Sequence, residues 1–311
     1  MNAEAGDPRA GILAALARLD VAGAQARGAL EAADIESVLL KGRAFAQRLY
    51  DHVWERPYAD TDVLVGLGDR AEAEGVLAGL GYARIDRDGD RLGAVGYAHT
   101  FMRPDGGSID LHWGISGVTA EPLRVWETIS AHTVSLTVGG HPARVPDDPL
   151  TALLVVLHAA HHGGQHGLTM TDLEHAITRI GARDWGRARD LALALGAGEA
   201  FASGLALSPA GRELAQRLGT PASPTLEYRL RAEQTEFRVW ALHRLAGARG
   251  LTRVRVIAEV LVPPPGAMRR FEPLARRGRR GLLAAYLLRA PRLLLTAVPA
   301  LADYLRARRA L

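Results

Sequence analysis

At Asp147-Asp148-Pro149 the hydrophobic pattern of this chain changes period. Acidic capping residues followed by proline in the first turn make a strong helix start. Beyond that point every apolar segment reads at helical spacing, over 150–162, 171–180, 185–195, 199–206, 211–218, 226–245 and 252–261. Ahead of it, short apolar runs alternate with Gly, Pro and Asp clusters, as short strands joined by tight turns do. A chain of 311 residues, 48% apolar and 23% charged, is long enough for one large or two ordinary domains. The expectation is an α+β fold: residues 1–146 carry a mixed sheet with helices, and residues 147–311 form an all-helical domain with a basic tail.

Within the first part, residues 8–33 read as helix broken once near Gly23. Ser37 to Leu40 is a short strand, Lys41-Gly42 a turn, and Ala44 to Val53 a helix with Phe45, Leu49 and Val53 on one face. Arg56-Pro57 stops that helix, because proline cannot continue it and holds the preceding residue extended. Asp60 to Val65 follows as a strand, then a helix from Arg70 to Leu80, capped by Asp69 and stopped at Gly81. Strands are expected over 82–85 and 108–113, and turn clusters at Asp88–Asp90 and Pro104–Gly107 bracket an apolar segment over 98–102. A helix over 121–131 and a hairpin turning at Gly139-Gly140 complete this part.

The chemistry concentrates between residues 41 and 65. Lys41 is the only lysine in the chain, whose other cationic side chains apart from histidine are arginines. An ammonium is a compact point charge on a flexible stem, whereas a guanidinium is a planar fork, so the two are not equivalent where one anionic oxygen must be met. In a strand, residues two apart share a face, so Asp60 and Asp62 project together while Thr61, Val63 and Val65 take the other side. Two like charges held side by side are unfavourable unless a cation lies between them, and Mg²⁺ is commonly held by one or two carboxylates plus substrate phosphates. By the same parity Asp110 and His112 share a face, with Ile109, Leu111 and Trp113 turned to the core. Gly42 sits where a helix start leaves N–H groups for an anion.

Composition excludes some chemistry and localises the rest. With no cysteine there are no disulfides, thiolate metal sites or cysteine nucleophiles. The net charge of +4 hides a basic tail: from Arg269 to Leu311 eleven arginines face two acids. The N-terminus lacks the pattern of a secretory signal and no apolar run is long enough to span a bilayer, so a cytoplasmic protein with no transmembrane segment is expected.

A glycine turn, paired carboxylates and a third carboxylate on a second strand suit phosphoryl or nucleotidyl transfer assisted by divalent ions. At this point the sequence resembles the bacterial uncharacterised nucleotidyltransferases of the DNA polymerase β-like superfamily. The resemblance rests on VLLKG at 38–42, RPYADTDVLV at 56–65, GY at 81–82, IDLHW at 109–113, and LHAAHH at 157–162 followed by TDL at 171–173. It implies that Asp60, Asp62 and Asp110 are the catalytic and metal-binding acids, for Mg²⁺ or Mn²⁺. It implies also that Gly42 belongs to the phosphate turn and that Lys41 and Arg56 meet the triphosphate of an NTP. The acceptor expected on this reading is a hydroxyl of a small molecule, a peptide or a protein. Arg43 after Gly42 departs from the Gly-Ser or Gly-Gly common in the superfamily. Two rivals stand beside this reading: a toxin-type enzyme acting on tRNA, and a non-catalytic nucleotide-binding or scaffold protein of the same fold.

The histidines are weighed separately. His158, His161 and His162 share a helix face. His158 and His162 are candidates for lining a cleft, as is His112, two residues from Asp110; a zinc site would need a fuller ligand set. The arginine-rich end admits nucleic acid as a partner, yet its apolar stripe equally suits a packed or membrane-surface helix.

Overall fold

The central sheet is built of short strands in the order β1-β2-β5-β4-β3. These are Val38–Leu39 (β1), Thr61–Leu64 (β2), Ala83–Ile85 (β3), Ala98–Met102 (β4) and Ser108–His112 (β5). The computed structural model describes residues 8–85, 96–164, 166–220, 225–232 and 237–309; the turn expected at Asp88–Asp90 lies outside the described residues. β2 and β5 lie parallel, with Asp62 opposite Asp110 and Leu64 opposite His112. β1 flanks β2 antiparallel, and β4 and β3 continue antiparallel from β5. Strand parity then sorts the residues: Val63, Val65, Ile109 and Leu111 enter one core with Leu77, Phe101 and Leu30, while Asp62, Asp110 and His112 take the opposite face.

Helix α1 (Pro8–Ala32) packs Ala26 and Leu30 into that core. It runs without the break expected at Gly23. The glycine serves close approach instead: a Cβ there would stand 2.9 Å from the side chain of Thr61, so the missing side chain lets α1 lie against the start of β2. Helix α2 (Arg43–Leu49) is shorter than its apolar pattern suggested, and a 3-10 turn follows at Val53–Glu55. Helices α3 (Arg70–Gly79) and α4 (Pro122–Ala131) precede and follow the later strands. β6 (Thr133–Val138) and β7 (His141–Pro146) form a separate hairpin, whose Val138, Ala143 and Val145 pack on Leu39 and Ala44.

From Pro146 onward the described elements are helical. Helix α5 (Asp148–His162) starts where the sequence placed it, with the Asp147 side chain accepting from the Leu150 N–H at 2.9 Å. It is buried along nearly its whole first three turns. Around it stand α6 (Gly167–Arg179), α7 (Ala182–Ala194) and α8 (Gly198–Leu205), followed by α9 (Pro209–Arg217). These helices belong to the same compact unit as the sheet, which extends to Ser223. A second unit holds α10 (Leu226–Ala232), α11 (Phe237–Gly247), α12 (Gly250–Leu261), α13 (Pro265–Phe271) and α14 (Gly278–Arg309). Over the expected helix 226–245 the described residues are helical, as α10 and α11, and 233–236 lie outside the described residues.

Candidate active site

Two central strands set the site. Because β2 and β5 are parallel and in register at Asp62 and Asp110, their carboxylates emerge side by side on one face. His112, two residues on, joins them. Asp62, Asp110 and His112 each offer a ligand atom lying within 4.8 Å of the others. Two carboxylates beside an imidazole are groups of the kind that hold a divalent cation. Asp60, expected as the partner of Asp62, precedes β2 in a bend and is not one of these three. Its charge nonetheless reaches the site, acting on Lys41 together with that of Asp110.

The turn after β1 brings the chain's lysine to the first of those acids. The Leu40 N–H donates to the Asp62 carbonyl at 2.9 Å, which lays residue 41 alongside Asp62. Gly42 then turns the chain at φ 59°, a left-handed value that a side chain would strain. Lys41 Nζ stands 2.8 Å from Asp62 Oδ1, with side-chain exposures of 22% and 6%. His112 Nε2 lies 3.0 Å from the same oxygen. An ionised carboxylate only accepts, so this imidazole carries its proton on Nε2. Its Nδ1 is buried without a hydrogen-bond partner.

Electrostatics at Asp62 are a contest. Burial pushes its pKa up, but the Lys41 ammonium and the bond from His112 outweigh burial and hold the carboxyl well below the usual range. Lys41 shows the mirror image: burial favours loss of its proton, yet Asp62, with Asp60 and Asp110 behind it, raises its pKa. The pair therefore stays fully charged at neutral pH. Arg43, which follows the turn, donates to Asp20 of α1 at 3.3 Å, and Tyr58 donates to the same carboxylate at 2.6 Å.

Arg56, expected to reach toward phosphates, is engaged with an acid of α6. Its Nε and Nη2 donate to the two oxygens of Asp172 at 2.8 and 2.7 Å, a fork-to-carboxylate pair with side-chain exposures of 4% and 1%. Tyr50 adds a third bond to Asp172 at 2.7 Å, and Phe45 lies under the guanidinium at 5.3 Å. The guanidinium is thus committed to α6, where it fastens the end of α2 and the approach to β2. The signal for this clamp was present in TDL at 171–173, but nothing local says that its aspartate meets an arginine 116 residues earlier.

The α5 histidines lie near this face. His158 is held neutral: burial first, then the Lys41 charge and His162, push its pKa well below that of free imidazole. His162 packs edge-on against both His158 and His161, with ring centroids 4.6 and 4.8 Å apart. Tyr97 connects the two elements, stacking on His112 at 5.9 Å and meeting the edge of His161 at 6.3 Å. His161 Nδ1 and Ser116 Oγ are 2.8 Å apart. Tyr97 and Ser116 carry no motif in the sequence and were not among the expected residues. Among the described residues the α5 histidines do not join a metal-binding group.

A family model described as an uncharacterised nucleotidyltransferase matches residues 14–210. No curated protein matches the chain. Among solved structures the chain is similar to the antibiotic-resistance factor ANT(2'')-Ia, at 14% identity and a TM-score of 0.42 over 57% of this chain and 91% of that one. It is also similar to an antigenic nucleotidyltransferase-like protein from Paracoccidioides brasiliensis, at 16% identity and a TM-score of 0.39 over 67% and 93% of the two chains.

Proposed function

The chain belongs to the uncharacterised nucleotidyltransferase family, whose model spans well over half of it, and from that premise we propose that it transfers a nucleoside monophosphate from an NTP to an acceptor hydroxyl. The acceptor belongs to a small molecule, a peptide or a protein. The observation that carries this reading is the register of Asp62 with Asp110 on adjacent parallel strands, with His112 beside them. The acceptor oxygen attacks the α-phosphorus, the bond from that phosphorus to the bridging oxygen breaks, and pyrophosphate leaves.

A divalent ion, Mg²⁺ or Mn²⁺, held by Asp62 and Asp110, would neutralise phosphate charge and activate the attacking oxygen. The two carboxylates fit such an ion, and the imidazole of His112, donating from Nε2 to Asp62, would orient one of them. Asp110, half-buried beside Asp62, takes the acceptor proton. Lys41 keeps Asp62 ionised, and its flexible stem also lets the ammonium reach a phosphate oxygen. Gly42 gives the backbone of the same turn its close approach, and Asp60 adds negative charge at the mouth of the site. Arg56 acts by holding the start of β2 rather than by touching the nucleotide. Residues 1–146 then supply the catalytic groups, while His158 and His162 of the helical part face the nucleotide or the acceptor.

The test is transfer of label from α-labelled NTPs to a cell lysate in the presence of Mg²⁺ or Mn²⁺. Wild type labels an acceptor and Asp62→Ala does not, while both melt as folded proteins. Undiminished labelling by the variant overturns the assignment. Labelled tRNA, with no other product, moves the activity to the toxin class, and absence of metal-dependent NTP binding in calorimetry leaves a scaffold.

A further inference from the structure

We propose that the second unit, from Pro224 to Leu311, is a docking module for the surface of an anionic lipid bilayer. Residues 224–311 contain eighteen arginines against six acidic residues, a formal charge of +12 in a chain whose total is +4. The remaining residues, 1–223, are therefore acidic, at −8. Exposed apolar side chains follow the same division. Among the described residues, twelve of the twenty large hydrophobic side chains left exposed lie after Pro224. Scattered exposed leucines need no explanation, but a concentration of this kind beside a charge excess marks an interaction surface.

The long helix α14 shows how the surface is made. One side faces the rest of its own unit: Ala300 and Tyr304 pack with Leu230 and Val239, and Ala285 packs with Met268 and Ala275. The arginines of its middle turns are used on that side, Arg289 donating to the Val260 carbonyl at 2.8 Å and Arg292 to Glu272 at 3.0 Å. The opposite side carries Leu283, Leu287, Leu295, Val298, Leu301 and Leu305, exposed from 38% to 81%. Before the bend Leu283 and Leu287 are four residues apart, and beyond it Val298, Leu301 and Leu305 are three and four apart, so within each segment the exposed apolar side chains share one side. Exposed Arg279 and Arg280 bracket the stripe at one end, with Arg306, Arg308 and Arg309 at the other. Helix α12 repeats the pattern, with Leu251, Val254, Ile257 and Leu261 exposed and Arg255 beside them at 81% exposure.

Chemistry selects the occupant. An aliphatic stripe with arginines at its ends fits a bilayer boundary, where the stripe enters the acyl region and the guanidiniums meet lipid phosphates. A nucleic acid would use the charge but not the leucines, since strand binding pairs basic side chains with exposed aromatic rings; Tyr304 is buried and the Tyr286 hydroxyl donates to the Pro263 carbonyl. Two such units meeting face to face, each carrying +12, would repel one another. Among the described residues no single helix is long and apolar enough to cross a membrane, and Gly278–Leu293 with Val298–Arg306 passes only as a pair bent by 54°, which suits a helix lying along the surface.

The full chain should be floated with vesicles of phosphatidylcholine alone and with phosphatidylglycerol added. Binding to the anionic vesicles, reversed by salt, is expected, with little binding to the neutral ones. Leu287→Glu with Leu295→Glu, both exposed, should weaken binding about tenfold or more without lowering the melting temperature, and Arg308→Glu with Arg309→Glu should weaken it and reduce its salt dependence. Equal binding to both vesicles, or retention through alkaline carbonate, overturns surface docking in favour of insertion. Failure to float overturns the proposal outright, whether accompanied by RNA binding or by a dimer that the leucine substitutions dissociate.

Discussion

Two cation–carboxylate pairs begin in the same stretch of sequence and end in opposite conditions. Lys41 meets one oxygen of Asp62 through a single contact and remains 22% exposed. Arg56 meets both oxygens of Asp172 and is sealed, at 4% and 1% exposure, with Tyr50 closing the network. A point charge on one oxygen at the edge of water can be exchanged for another cation. A fork on both oxygens in a dry site cannot, and breaking it leaves an uncompensated buried charge. The first pair therefore suits the transfer proposed above, and the second suits holding β2 in place.

That contrast predicts a double dissociation. Asp62→Asn should bring nucleotidyl transfer to background while costing only about 1–2 kcal/mol of stability, because the Lys41 stem can carry its ammonium to water. Asp172→Asn should cost about 3–5 kcal/mol, read as a shift in the urea midpoint, yet leave transfer per folded molecule nearly intact. Exchanged outcomes would mean that the two roles have been assigned the wrong way round.

A smaller effect separates the two cations. Arg56→Lys loses the two-oxygen geometry and should destabilise the protein by about 1–3 kcal/mol. Lys41→Met should instead enlarge the rise in melting temperature that Mn²⁺ produces without nucleotide, since no ammonium then competes for Asp62 Oδ1. A smaller metal-induced rise in this variant would show that Lys41 assists the ion rather than excluding it.

The smallest expected effect concerns His158. Its folded pKa lies below the ordinary value of 6.5, so below about pH 6.5 the unfolded chain takes up a proton that the native chain refuses. Stability should fall as pH drops through that point and continue falling until the folded pKa is reached. His158→Gln should flatten this limb in melting curves between neutral pH and about pH 5; an unchanged limb would assign it to another group.

Much of the framework was legible because it is local. Strand parity put Asp110 and His112 on one face, capping chemistry placed the start of α5 at Asp147, and paired glycines turned the β6–β7 hairpin. Gly23 shows the limit of such reasoning. As a helix breaker it was read from propensity, yet its actual role depends on Thr61, 38 residues away. His112 against Asp60 is a second case. Both lie two residues from an acid of the site; the ligand atoms that converge with those of Asp62 and Asp110 include the histidine's, while Asp60 sits in the bend ahead of β2 and acts on Lys41 through its charge.

The sequence by itself determined the order of elements, the change from mixed to helical structure at Pro146, and the face on which each acid emerges, because these follow from periods of a few residues. Tertiary structure alone decided which cation meets which acid. Lys41 and Arg56 both stand within twenty-one residues of Asp60 and Asp62, and nothing near them in the chain distinguishes an exchangeable counter-ion from a structural clamp. Charge interactions depend on distance and on the dielectric around them, and both were set by α6 arriving with Asp172 to take one cation out of water and leave the other at its edge.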